Sequence, residues 1–419
     1  MSAAPVTPPH LRRARAAVSA VFFVNAVLYA NLVPRLPEVK EQLGLSNAQL
    51  GTAIAAMPLG ALLAGLLAPA LIQRLGSARV AAFGLVGSAV AVAVVPLAPG
   101  WGALAAVLLL AGALDAVIDV AQNAHGFRVQ RAYRRSIVNA FHGLWSVGAV
   151  VGGLLGSAAA GLGVPLPVHL AASGVLFSVV AVVAYRSMLR GPEDAEREPV
   201  PESDGAAGRR GARPRLARAA LLPLAALGVL AACGALVEDA GSSWGALYLR
   251  GEVGADAATA GLAFVSLSVA MTVGRLLGDR VVDRWGQRRV ALVGGAGIAA
   301  GMGLALAVPS VATTLVGFAL AGLGVATLVP AVMHAADELP GLPHGVGLTV
   351  VSWLLRVGFL ASPALVGVVA DATSLRVALL GVVLAGVGVL ATGRVLAGRP
   401  TTPAQAPSEA GDVRATTSR

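Results

Sequence analysis

The chain has 419 residues, of which 57% are hydrophobic and only 12% charged, with a mean hydropathy of +0.79. Soluble domains carry about 45–50% apolar and about 25% charged residues, so a soluble multidomain protein is excluded and about twelve spans of ~20 residues fit instead. The net charge of +10 comes from short arginine clusters with no interleaved aromatics, which argues against nucleic acid as a partner.

In chain order, Arg12, Arg13 and Arg15 lead into an apolar run at 15–34. The pattern is that of a signal peptide, but with many spans downstream it reads as a first transmembrane helix that stays attached. Asn25 and Asn31 lie in it, Asn25 as a cavity candidate and Asn31 as an interhelical hydrogen-bonding residue. Further runs fall at 46–72, 80–97, 101–124, 138–161, 166–189, 217–237, 259–282, 289–308, 311–334, 346–370 and 374–397. Pro58, Pro330 and Pro363 interrupt three of them and can kink the helix by deleting a backbone bond. Gly148, Gly152 and Gly156 form a close-packing ridge without chemistry. Cys233 is alone, so a disulfide or a cysteine metal site is excluded.

Twelve spans place both termini on one side. With that side cytoplasmic, 25 basic residues lie inside, four outside (Arg35, Lys40, Arg250 and Arg376) and two within spans. This bias sets the orientation. The expected division is a tail at 1–14, a six-helix half at 15–189, a cytoplasmic linker at 190–217, a second half at 218–397 and a disordered tail at 398–419. The linker is rich in Pro, Glu, Asp, Gly and Arg and cannot bury a core.

The halves repeat. Gln73-Arg-Leu-Gly-Ser-Ala-Arg-Val80 matches Asp283-Arg-Trp-Gly-Gln-Arg-Arg-Val290, and Arg284 lies 210 residues beyond Arg74. The same offset pairs Gly51 with Gly261, Gly112 with Gly322 and Gly148 with Gly358. Parallel repeats of this kind suit a carrier that rocks about a central site.

The loop Asp283-Arg-Trp-Gly-Gln-Arg-Arg289, preceded by Gly278-Asp279-Arg280, resembles the signature loop of the major facilitator superfamily. Four further stretches resemble the bacterial branch of it associated with rhizopine transport. These are Asn25 to Ser46 with its Arg35-Leu-Pro-Glu-Val-Lys40, Asp119-Val-Ala-Gln-Asn123, His142-Gly-Leu-Trp-Ser-Val-Gly148, and Glu238 to Arg250. The resemblance implies an all-α polytopic membrane protein of twelve transmembrane helices in two parallel six-helix halves. It also implies gating roles for Arg74, Gly76, Asp283, Arg284, Gly286, Arg288 and Arg289. Gln73 stands where the superfamily usually has an acidic residue, which puts the first-half latch in doubt. Span 4 lacks the arginine common in proton-driven antiporters, and span 5 lacks a Gly-Pro element, so multidrug export loses weight.

Charges within spans cost about 2.5–3.5 kcal/mol each on insertion scales and mark functional candidates. Asp115, Asp119 and Asn123 repeat every four residues and share one face of span 4, as substrate or proton ligands or as braces of the gate. Arg356 on span 11 lies at the depth of Asp115, which predicts pairing across the halves, directly or through substrate; a static ion pair is the alternative. Glu238 and Asp239 end span 7, either as a proton site or as a solvated rim. His142 is a candidate titrating group near the inner end of span 5, with a hydrogen-bonded structural role as the alternative. Arg275 and Asp279, one turn apart, are expected to brace the gate.

No P-loop is possible, since the only lysine, Lys40, follows Val39, and no His-Glu-x-x-His zinc motif occurs. The expectation is a monomeric secondary transporter of the bacterial inner membrane, not an enzyme, with no cofactor or metal. It would move a small polar solute, sugar-like or an organic metabolite, coupled to protons if coupled at all. A non-transporting sensor of the same fold, a drug or metabolite exporter and a membrane-embedded enzyme are the alternatives.

Overall fold

A computed structural model describes residues 8–133, 137–193, 195, 218–340, 342 and 346–396. Apart from residues 190–193 and 195, the expected linker lies outside the described residues, as does the tail from 398.

Twelve helices are long and apolar enough to cross a membrane. In the first half these are α1 (Pro9–Leu43), α2 (Asn47–Leu75), α3 (Ser77–Leu97), α4 (Trp101–Tyr133), α5 (Val138–Gly161) and α6 (Leu166–Tyr185). The second half comprises α7 (Ala220–Gly251), α8 (Ala257–Trp285), α9 (Gln287–Ala307), α10 (Val311–Asp337), α11 (Val346–Ala372) and α12 (Leu375–Val395). An apolar solvent leaves no other partner for backbone N–H and C=O groups, so runs of this length close their bonds internally as helices.

Two spans differ from their sequence boundaries. α1 continues past residue 34 through a 3₁₀ turn at Val33–Arg35 into a short helix at Leu36–Leu43. Arg35, counted above as an outer-loop charge, is therefore only 2% exposed. Its guanidinium donates to Glu38 Oε2 and to the Val164 carbonyl, 2.8 Å away. It also faces His169 Nδ1 at 3.3 Å, so that nitrogen accepts and Nε2–H donates to Asn31 Oδ1 at 3.0 Å. The cluster ties α1 to the α5–α6 turn.

α7 does not end near residue 237. A π-helical turn at Ala240–Trp244 absorbs the Gly-Ser-Ser run and the helix resumes at Gly245. π-turns keep the backbone bonded while shifting side-chain register. Glu238 and Asp239 consequently sit within the span, not at its rim.

The internal repeat survives as atomic contacts. Gly112 of α4 lies against the Met57 carbonyl of α2, with no room for a Cβ, and Gly322 of α10 lies likewise against the Leu267 carbonyl of α8. Both members of the second pair stand 210 residues beyond the first. Small residues permit such approach where lipid supplies no hydrophobic drive between helices. The ridge at Gly148, Gly152 and Gly156 packs against Phe23, Val27 and Asn31 carbonyls of α1.

The halves meet along two seams, α2 with α11 and α5 with α8. Gly51 approaches the Pro363 carbonyl, Gly367 the Asn47 carbonyl, and Gly161 the Ala258 side chain. Asn47 and Ala48 open α2, and Asp371 nearly ends α11, so these contacts lie at the end opposite the chain termini. There the Asp371 carboxylate accepts from the Asn47 and Ala48 N–H groups, each at 2.8 Å.

Candidate functional site

Between the halves lies a cavity of about 400 Å³. It continues into a second chamber of about 600 Å³, with which it shares Asn25, Asp115, Trp145 and Arg275. The second chamber runs past Asp119 and His142 to Asp279, toward the end that carries the termini. The two seams seal the opposite end, so the site is open to one side only.

α1 contributes Asn25 and Tyr29 to the inner chamber, and α4 contributes Asp115. The Asp115 carboxylate faces the Asn25 amide and forms no ion pair among the described residues. On the opposite half, Glu238, Arg275 and Arg356 line the same chamber. Arg275 Nη2 stands 3.8 Å from Glu238 Oε2, so it pairs across α7 and α8. This ion pair crosses between helices because both side chains point into the chamber. Arg356, also directed at the chamber, makes no hydrogen bond or ion pair among the described residues. The direct Asp115–Arg356 contact is absent from this conformation.

Asp239 is the polar group that sequence reasoning underrated. It is 6% exposed, accepts from Ser243 Oγ on Oδ1 and from Ser362 Oγ on Oδ2, both at 2.6 Å, and so joins α7 to α11. Ser243 lies one turn beyond Asp239 on α7, within reach of its carboxylate. A buried carboxylate must find partners or leave its lone pairs unsatisfied at a cost of several kcal/mol. Here two hydroxyls supply them, next to Pro363 in the α2–α11 seam.

At the wide mouth, Asn123 Nδ2 donates to Asp119 Oδ1 at 3.0 Å, and His142 Nε2 faces Asn123 Oδ1 at 3.1 Å. Gln122 adds a bond to Asp119 at 3.2 Å, and Phe22 meets the His142 ring edge to face. The structure thus brings Asp119, Asn123 and His142 into one hydrogen-bonded chain, along the outer chamber that also reaches Asp115.

The loops with gating expectations lie at the same open end. Gly76 and Gly286 adopt φ of 87° and 80°, values natural to glycine, between α2 and α3 and between α8 and α9. Arg74, Asp283, Arg284, Arg288 and Arg289 are exposed. In place of an acid at Gln73, the first half uses Glu193 from beyond α6. Its Oε1 accepts from Ser77 N–H at 2.7 Å and Ser77 Oγ at 3.0 Å, and meets Arg128 at 3.3 Å. His125 completes this cluster, facing Ser77 Oγ through Nδ1 at 2.8 Å and accepting from Leu189 N–H through Nε2 at 3.1 Å.

This architecture has known counterparts. The major facilitator superfamily matches residues 18–248 and 228–418. The chain is 30% identical over 383 residues to an uncharacterised MFS-type transporter of Yersinia pestis, covering 90% of this chain and 94% of that one. It is 30% identical over 387 residues to the membrane protein MosC of Rhizobium meliloti, covering 91% and 89%. Its fold is similar to that of the nucleoside transporter NupG, with a TM-score of 0.71 at 12% identity over 91% of this chain and 98% of the other. It is also similar to a bacterial homologue of the human lysosomal transporter Spinster in an inward-facing, occupied conformation, with a TM-score of 0.70 at 15% identity, covering 93% and 98%. The chain belongs to the major facilitator superfamily, and its fold is that of a multi-pass membrane transporter.

Proposed function

We propose that this superfamily member is a secondary active transporter that carries a small polar solute by alternating access. The supporting observation is a largely apolar chamber with a few charged and polar groups, shared by both halves, open at one end and sealed at the other by two helix seams. Rocking the halves would break these seams and bring the loops around Gly76 and Gly286 together, exposing the same chamber to the far side. The arginine-rich end then faces the cytoplasm, with both termini inside and the protein a monomer in the bacterial inner membrane. In that orientation the present conformation is open to the cytoplasm.

Asp115, Asn25, Glu238 and Arg356 are the proposed substrate or proton ligands, with Asp119 and His142 lining the route to them and Asn123 bonded between the two. Asp239 is a second proton-site candidate. It sits where gain of a proton would convert one acceptor into a donor and rearrange the Ser243 and Ser362 bonds between α7 and α11. Arg74, Gly76, Asp283, Arg284, Gly286, Arg288 and Arg289 would form the cytoplasmic closure, with Arg275 and Asp279 behind it. The inner chamber, about 400 Å³, lies within the ~300–1,000 Å³ of small-molecule sites, which suits a sugar-sized or similar metabolite.

The test is solute uptake into proteoliposomes across a metabolite panel, with and without a pH gradient, comparing the wild type with Asp115→Asn. The expected result is flux in the wild type that falls at least tenfold in the variant. Equal flux in both would remove Asp115 from the mechanism. Ligand binding without flux in either would favour a sensor of the same fold.

A further inference from the structure

The charges in the inner chamber do not cancel where they stand. Glu238 and Arg275 face each other at 3.8 Å on the second half. Asp239 is held by two serine hydroxyls. With both Asp239 oxygens taken by hydroxyls, the charged groups left to face a ligand are one carboxylate on the first-half wall, Asp115, and one guanidinium on the second-half wall, Arg356, with no salt-bridge partner for either among the described residues. Tyr29, Trp145 and Phe359 line the chamber with them.

Each uncompensated charge selects a ligand group. A carboxylate flanked by the Asn25 amide suits a compact cation with several N–H donors. A guanidinium presents a planar fork that matches a carboxylate. We propose that the transported solute is a small zwitterion, its ammonium group held at Asp115 and Asn25 and its carboxylate at Arg356, with an apolar or aromatic frame against Tyr29, Trp145 and Phe359. This rests on the transport reading above and narrows its substrate class.

Alternatives fit the electrostatics less well. A neutral polyol leaves both charges without a partner once the halves close around it, and a simple amine or carboxylate leaves one; charges taken out of water unpaired are the costly case. A zwitterion neutralises both walls at once. It also links the halves, so its contacts tighten as the walls approach. Such state-dependent affinity is what a ligand needs to shift a conformational equilibrium. An empty chamber can close by bringing Asp115 and Arg356 into direct contact, which would let the unloaded carrier return.

The experiment is a thermal-shift titration of the full-length protein near neutral pH and at constant ionic strength. The probes are phenylalanine, phenethylamine, 3-phenylpropionate and 3-phenylpropanol, with the corresponding cyclohexyl-frame series beside them. The zwitterion of at least one frame is expected to stabilise the wild type at concentrations about tenfold or more below those of its single-charge and neutral analogues. Asp115→Asn should remove the preference for an ammonium and retain that for a carboxylate, while Arg356→Gln should do the reverse. Stabilisation led by a neutral or singly charged probe, by none of the probes, or by a zwitterion insensitive to both substitutions overturns the proposal. The transport reading is judged separately, by whether spin-label distances across the two ends alternate. Zwitterion binding without alternation would leave a receptor, and alternation without zwitterion preference would leave a carrier of other cargo.

Discussion

The α2–α11 and α5–α8 seams occupy equivalent places in the repeat, yet they are closed by different means. Ser46 and Asp256 are equivalent N-caps, 210 residues apart. Ser46 takes the Gln49 N–H of its own helix at 3.2 Å, which leaves the Asn47 and Ala48 N–H groups for Asp371 of the other half. Asp256 takes the Ala258 and Thr259 N–H groups of its own helix at 2.9 and 3.0 Å. The residue equivalent to Asp371 is Gly161, which brings only its backbone against Ala258. One seam is thus latched by a charge on a helix N-terminus, and the other is closed by packing, with no hydrogen bond between α5 and α8 among the described residues. The first half repeats the habit at its other end, where α3 borrows Glu193 from beyond α6 as a cap while α9 starts with no side-chain cap. Duplication has kept the glycine contacts and let the polar contacts diverge.

The sharpest way to break this comparison is to remove the latch. Asp371→Ala leaves two N–H groups without their anionic acceptor, a loss of about 1–2 kcal/mol from capping and helix-dipole contributions. The population open at the latched end should rise roughly tenfold, read as a long-distance component between spin labels at Glu41 and Thr373 by pulsed electron resonance. An unchanged distance distribution would mean that packing closes both seams. A smaller effect is expected from Gly161→Ala, whose new methyl would overlap the Ala258 side chain at the end of α5. The exposed helix end can yield, so the cost should stay below about 1 kcal/mol, under the usual ~1–3 kcal/mol of overpacking. If the halves move as rigid bodies, the two substitutions will not add in the double variant; independent seams would give additive shifts.

Much of this architecture was readable in the sequence, and the reason is local. Apolar runs of membrane length mark the spans, and the constant offset exposes the repeat because the glycine approaches that maintain it are shared. Asp115 and Arg356 stand out because a charge in such a run is costly. The latch was not readable, since Asp371 and its partners lie over 320 residues apart and an acid at a span end looks like a solvated rim. Glu193 was hidden for the same reason in a linker read as structureless. The partner of Arg275 was hidden as well, since the charge nearest to it along α8 is Asp279 one turn on, whereas Arg275 reaches across to Glu238 of α7. Asp239 was misplaced because Gly-Ser-Ser-Trp reads as the end of a helix, and only the π-turn carries the span through it.

The smallest expected effect concerns the α8 cap itself. The Thr259 hydroxyl, followed by the Thr259 and Ala258 backbone N–H groups, holds the exposed Asp256 carboxyl below the usual carboxylate range. A carboxyl whose native pKa is depressed stabilises the fold above its unfolded pKa and loses that contribution as pH falls through its native value. Asp256→Ser converts this cap to the α2 type, so its melting temperature should lie slightly below that of the wild type near about pH 6 and converge with it below about pH 3. The substitution also frees the Ala258 N–H, the group equivalent to one that Asp371 engages on α2. If the latch needs only a free N–H and a facing acid, Asp256→Ser combined with Gly161→Asp should hold the α5–α8 seam more tightly than Gly161→Asp alone, measured with labels at Leu162 and Glu252. Equal distances in the two variants would show that the Asp371 latch depends on the geometry of its own seam, not on the free helix end.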